Sequence, residues 1–187
     1  VTRNRQHGLT LVELIMFIVI VSIGIVGILA AINVSTQHSA DPVVRKQVLA
    51  IAESLLEEIE LMPFTFCDPQ DANVLTATSS AGCASTPQTI GPPASPATET
   101  RYSTTAPFDN VGDYGGFSMS PILDITGAAI GGLSGYSASV SMAPPTGALS
   151  GVPASEIAVI SVSVTGPGNE SITLEGYRVR YAPNSTQ

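Results

Sequence analysis

The chain contains no tryptophan, and only 5% of its residues are aromatic and 12% charged. Lysine and arginine together number seven, and there are two histidines and two cysteines. Each scarcity excludes a class of function. Nucleic-acid binders displace counterions from phosphate with a basic footprint. Here the formal net charge is −8, and after Arg3 and Arg5 only Arg45, Lys46, Arg101, Arg178 and Arg180 are basic. Direct nucleic-acid binding is therefore not expected. His7 and His38 both precede Ser39, so the many serines downstream have no histidine to activate them. No glycine-rich phosphate loop and no His-Glu-x-x-His pattern occurs. The chain reads as non-catalytic, without a cofactor. What it has in quantity is glycine and proline, 17 and 14 residues, as in a loop-rich exported domain.

Charge is missing altogether between Leu14 and Val34, a run of 21 residues. As a helix this run rises about 31 Å, enough to cross a hydrocarbon core of about 30 Å. A carboxylate, Glu13, stands at its threshold, and Gly8 lies five residues before that acid. An acid in lipid costs free energy and needs a partner. Cutting the chain after Gly8 would create one, the new ammonium group of Leu9, one helical turn from Glu13. The segment Val1 to Gly8 is polar and carries Arg3 and Arg5, which by the positive-inside rule stay in the cytoplasm and place everything after Val34 outside. An ordinary secretory signal has a shorter apolar region, of about 7 to 15 residues. A plain single-pass anchor would span equally well, but leaves Gly8 and Glu13 unexplained.

Beyond the span, Asp41-Pro42 is a helix-start signature, with a kink or short break expected where the two helical stretches meet. Val44, Val48, Ile51, Leu55, Ile59 and Met62 then recur at spacings of three and four, predicting one apolar stripe. Glu57-Glu58 reads as solvated, and Pro63 stops the helix. From Phe64 to about Asn110 periodicity is poor, and Gly91-Pro92-Pro93-Ala94-Ser95-Pro96 is incompatible with a core strand. Cys67 and Cys83 open this region. On the exported side they are expected to form a disulfide; free thiols are the main alternative, and a metal site is opposed by the absence of a nearby histidine. Strand signals follow at Gly116–Met119, Tyr136–Met142, Ile157–Val164 and Ile172–Tyr181, the last with a phase slip at Glu175-Gly176 that reads as a bulge.

The Gly8-Leu9-Thr10-Leu11-Val12-Glu13 junction and the run behind it resemble the class III signal of type IV pilins and pseudopilins. The resemblance implies cleavage between Gly8 and Leu9 by a prepilin peptidase, N-methylation of Leu9, and pairing of Glu13 with the terminal amine of a neighbouring subunit during assembly. Downstream, Ala40-Asp41-Pro42, Arg45-Lys46-Gln47, Phe66-Cys67-Asp68, Phe108-Asp109-Asn110-Val111, Gly116-Phe117-Ser118-Met119 and Gly176-Tyr177-Arg178-Val179-Arg180-Tyr181 are similar to the D-type minor pilins of the mannose-sensitive haemagglutinin (MSHA) pilus system. The chain departs from the pattern in having Leu9 where the family often has Phe, and no proline inside the span.

The expectation is an α+β, pilin-like plan: a long N-terminal helix, transmembrane then amphipathic, packed on an antiparallel β-sheet. The divisions are a leader at 1–8, a transmembrane and polymerisation helix at 9–35, an amphipathic helix at 36–62, an irregular disulfide-pinned region at 63–114 and a sheet region at 115–187. The resemblance implies a minor pilin in the initiation or tip of an MSHA-like pilus, held singly in the inner membrane before assembly and carried on the cell surface afterwards. Its implied partners are other pilin subunits through the N-terminal helix, the prepilin peptidase, the inner-membrane assembly platform and membrane lipid. A type II secretion pseudopilin and a tip adhesin are the alternatives. Two further features carry two readings each. Asp109, Asn110 and Asp113 form a hydrogen-bonded turn or hold calcium. Tyr177, Val179 and Tyr181, opposite Arg178 and Arg180, are either an adhesive surface or core-facing side chains with solvent-facing arginines.

Overall fold

A computed structural model describes residues 10–37, 41–90 and 99–186. The chain divides into two units, Val1–Pro42 and Val43–Gln187, each with its own internal contacts. In the first, one helix, α1, runs from Leu11 to Gln37. It is apolar on all sides, and its one mid-span hydroxyl is satisfied internally: Ser22 Oγ donates to the Ile18 carbonyl at 2.7 Å. The junction at 38–40, where a kink or break is expected, lies outside the described residues, as does the proline-rich stretch at 91–98.

Helix α2 spans Asp41–Glu60, with proline in its first turn, where a missing N–H costs nothing. Val48, Ala52, Leu55 and Ile59 are its buried residues, at intervals of four, three and four, and all are at most 3% exposed. Val44, Ile51, Leu56 and Met62 pack at the margins. Each large apolar side chain so buried contributes about 1.5–3 kcal/mol.

The surface that covers this stripe is a four-stranded antiparallel meander in the order β1-β2-β3-β4. The strands are β1 (Ser118–Met119), β2 (Ser137–Ala143), β3 (Ile157–Thr165) and β4 (Ser171–Val179). Period-two alternation decides which face is covered. Ala138, Val140 and Met142 of β2 and Ala158, Ile160, Val162 and Val164 of β3 join α2 in one core. The opposite face is lined with hydroxyls: Ser118 pairs with Ser139, Ser139 with Ser163, and Ser163 with Thr173.

Strand β4 corrects the sequence expectation of a bulge. Pairing with β3 runs unbroken from Ile157↔Val179 to Thr165↔Ser171, with Gly176 opposite Ile160. The apparent slip is a glycine in the inward register. A Cβ there would lie 2.2 Å from Glu60 Oε1 and 2.9 Å from Leu56 Cδ1, so the ends of two α2 side chains stand where its own would be. The same unbroken phase turns Tyr177 outward and Arg178 inward, reversing the alternation in which aromatics meet the core and arginines meet solvent. Arg178 Nη2 donates to the Met62 carbonyl at 3.0 Å. The Arg180 side chain is 4% exposed, bonded to Glu156 at 3.1 Å and stacked 4.2 Å above the Phe64 ring.

Between α2 and β1 the chain is irregular but not loose. Cys67 and Cys83 form a disulfide with Cα atoms 5.5 Å apart. In the chain-entropy account, closing a loop of this size contributes roughly 3 kcal/mol. Asp71 fills the loop's interior: its Oδ1 accepts the backbone N–H groups of Asn73 and Ala84, and its Oδ2 those of Ser85 and Thr86. These backbone donors, Ala84 and Thr86 first, hold the carboxyl well below the usual carboxylate range. Farther along, Phe108 meets Tyr114 edge-on at 4.9 Å and Phe117 at 5.9 Å.

Candidate functional site

The N-terminal end of α1 is built by Thr10. Its Oγ1 accepts the Glu13 backbone N–H at 3.3 Å, and its carbonyl accepts Leu14 N–H at 3.1 Å. Thr10-x-x-Glu13 has the residue order of a capping box, with the acid in the third helical position. A carboxylate in the first turn also faces the positive end of the helix dipole. The threonine cap was legible in the sequence as that four-residue pattern, yet the sequence reading started the helix near Leu9. Glu13 is exposed, as is every described residue of α1 from Leu11 to Ile32.

That exposed stretch of 22 residues has a mean hydropathy of 3.0, and none of it is buried within the chain. At 1.5 Å per residue it measures about 33 Å, which matches a bilayer core of about 30 Å with slight tilt. Gly24 and Gly27 have nothing within 4 Å of where a Cβ would stand. The helix therefore offers two smooth positions for another helix to approach closely. Gly8 and Leu9, the proposed cleavage and methylation positions, lie outside the described residues, as do the leader and His38.

The remaining candidates lie in the second unit. Asn110 and Asp113 form the cap of a short 3-10 turn, Val111–Tyr114. Asn110 Oδ1 accepts from Gly112 N–H at 3.3 Å. Asp113 Oδ2 accepts from the N–H groups of Asp109 and Asn110, at 3.0 and 2.7 Å, and its Oδ1 accepts from Gln88 Nε2 at 3.0 Å. One Asp113 oxygen is thus committed to the turn and the other to Gln88, and burial pushes its carboxyl up to about 6 despite those donors. The Asp109 side chain is not part of this cap; its Oδ2 accepts from Gln70 Nε2. Tyr177 and Tyr181 are 55% and 75% exposed, so the aromatic pair is available at the surface, while Arg178 and Arg180 are half-buried.

One polar centre escaped the sequence reading. Glu58, read there as solvated, receives both Arg101 Nε and Nη2 at 2.7 Å and the Tyr114 hydroxyl at 2.8 Å. Burial raises its pKa, but the Arg101 and Tyr114 hydrogen bonds and the Arg101 charge outweigh that and leave it below the ordinary value. The local signal was Glu58's place beside the Leu55–Ile59 stripe; its partner stands 43 residues away.

Residues 3–29 match the family model described as the prokaryotic N-terminal methylation motif. The match takes in Gly8, Leu9, Glu13 and most of the apolar run. No curated protein and no solved structure matches the chain. The methylation-motif family is one of structural subunits rather than enzymes, and with this capped helix and the α+β unit after it, the match supports a protein of type IV pilin or pseudopilin type; the one helix among the described residues that is long and apolar enough to cross a membrane fits an inner-membrane anchor.

Proposed function

We propose that this chain is a minor pilin, a non-catalytic subunit taking part in the initiation or tip of an MSHA-like type IV pilus. The observation that carries the reading is α1 itself: a membrane-length helix, uncovered by its own chain, with one carboxylate in its capped first turn. Cleavage between Gly8 and Leu9 supplies the complementary ammonium group, which the peptidase product methylated at Leu9 retains as a cation. Two opposite charges in lipid then neutralise each other when a neighbouring protomer docks, because removing one partner of a buried pair costs about 3–5 kcal/mol. Its partners in this reading are the prepilin peptidase, the assembly platform and other pilins. The MSHA assignment and the minor role rest on the motif resemblance between Ala40 and Tyr181.

A tip adhesin has one observation in its favour, the exposed Tyr177 beside the hydroxyl-lined sheet face. The deciding experiment is intact-mass analysis of chain extracted from membranes and from sheared filaments. Both are expected to begin at a methylated Leu9. Filament-borne chain that still carries Gly8 removes the proposal, and loss of secretion with intact pili after gene deletion assigns the subunit to a pseudopilus instead.

A further inference from the structure

Asp68 opens the cysteine loop, Glu99 follows the proline-rich stretch and Asp109 precedes the capped turn. Three segments distant in sequence bring one carboxylate each to the same place, with an oxygen of each within 4.8 Å of the others. Asp68 is 2% exposed and Glu99 7%. Each of the three keeps one buried oxygen that accepts no hydrogen bond among the described residues: Asp68 Oδ2, Glu99 Oε2 and Asp109 Oδ1. The opposite oxygens of the two aspartates are both served by Gln70, through its backbone N–H to Asp68 and its amide to Asp109. No ion pair among the described residues reaches the cluster, since those present join Arg45 to Glu170, Arg101 to Glu58 and Arg180 to Glu156.

Buried carboxylates at this separation require positive charge between them. A proton is the simplest source, and burial with repulsion from Asp113, Asp109 and Asp68 pushes Glu99 up to about 8. One proton bridges one pair and leaves the buried free oxygen of the third carboxylate without a donor. A divalent cation serves all three oxygens together. The donors are all carboxylate, which selects a hard ion. Calcium accepts a flexible set of carboxylate oxygens, whereas magnesium demands near-ideal octahedral geometry and sheds its waters reluctantly.

We propose that Asp68, Glu99 and Asp109 hold a calcium ion that ties the base of the cysteine loop to the segment entering the Asn110-capped turn. The site stands independently of the pilus reading, because none of its ligands belongs to α1. The test is calorimetric titration of the full chain in detergent, stripped with chelator, against calcium chloride and magnesium chloride, with thermal unfolding followed in parallel. One calcium is expected to bind in the range of about 10⁻⁴–10⁻³ M found for extracellular modules, with magnesium weaker. Asp109→Asn, at the half-buried ligand, is expected to weaken calcium binding at least about tenfold. Without calcium it should unfold no lower than the parent, because it removes repulsion; a merely structural hydrogen-bonding role predicts the reverse. Glu99→Gln provides the same readout from the opposite side, and Glu175→Gln on the outer sheet face should bind as the parent does. Absence of a calcium heat and of a thermal shift, or parental affinity in both ligand variants, overturns the proposal.

Discussion

Asp71 shows how one carboxylate organises a stretch with little more regular structure than a three-residue 3-10 turn, Ser80–Gly82, and a single bridge between Cys67 and Pro87. Four backbone N–H groups, from Asn73, Ala84, Ser85 and Thr86, converge on its two oxygens, and the Ser85 hydroxyl adds a fifth donor at 3.2 Å. An asparagine presents an amide where the Oδ2 oxygen now accepts three of these, so Asp71→Asn should loosen the loop even with the disulfide intact. Faster amide exchange at Ala84, Ser85 and Thr86 than in the parent is the expected result. The pH dependence has a definite sign. The folded-state pKa lies below the unfolded value of about 3.9, so the stabilisation is complete above that value and disappears as pH falls through the depressed one. The resonances of those three amides should accordingly hold their native positions at pH 4 and move only in stronger acid, whereas in the asparagine variant they should be insensitive to pH across that window.

At the scale of elements, two glycines separate a required absence of side chain from a convenient one. At Gly112, within the buried turn, a Cβ would lie 2.6 Å from the Thr89 carbonyl oxygen, which is backbone and cannot swing aside. At Gly176 the nearest atoms are the free ends of Glu60 and Leu56, which can swing aside. Gly112→Ala should therefore lower stability by about 1–3 kcal/mol, the usual cost of overpacking, and Gly176→Ala by clearly less; chemical denaturation of the two variants measures the difference. The same two elements show what was legible beforehand. The stripe on α2 and the alternation in β2 are local periodicities, readable directly from Val48, Leu55 and Ile59 and from Val140 and Met142, and β3 announced itself as a β-branched run, whereas small, weakly apolar Ala52 was not read into the stripe it joins. Gly176 was misread because glycine carries no hydropathy, so its inward position depends on what lies above it. Glu58 was misread for a related reason: nothing near it in sequence announces Arg101 or Tyr114. The Asp68–Glu99–Asp109 cluster was hidden in the same way, spread over three segments without periodicity, and only Asp109 stood out as a turn residue.

For the molecule as a whole, the role proposed for Glu13 separates insertion from assembly. Membrane entry depends on the 22-residue apolar stretch from Leu11 to Ile32, in which Glu13→Ala changes only the acid. The variant should fractionate with membranes in parental amount and be cleaved after Gly8, yet be depleted at least about tenfold from sheared filaments, as immunoblotting of the two fractions would show. That magnitude follows from losing one partner of a buried pair, for which about 3–5 kcal/mol is typical. Parental abundance in filaments would separate the acid from assembly altogether.

The bareness of α1 has a further consequence. A rod this greasy has no resting place in water, so a subunit leaving the lipid must exchange acyl chains for neighbouring protein without a wet intermediate. Growth of any fibre containing it is then a hand-over at the membrane itself, and detached protomers cannot serve as a free pool for building at a distant end.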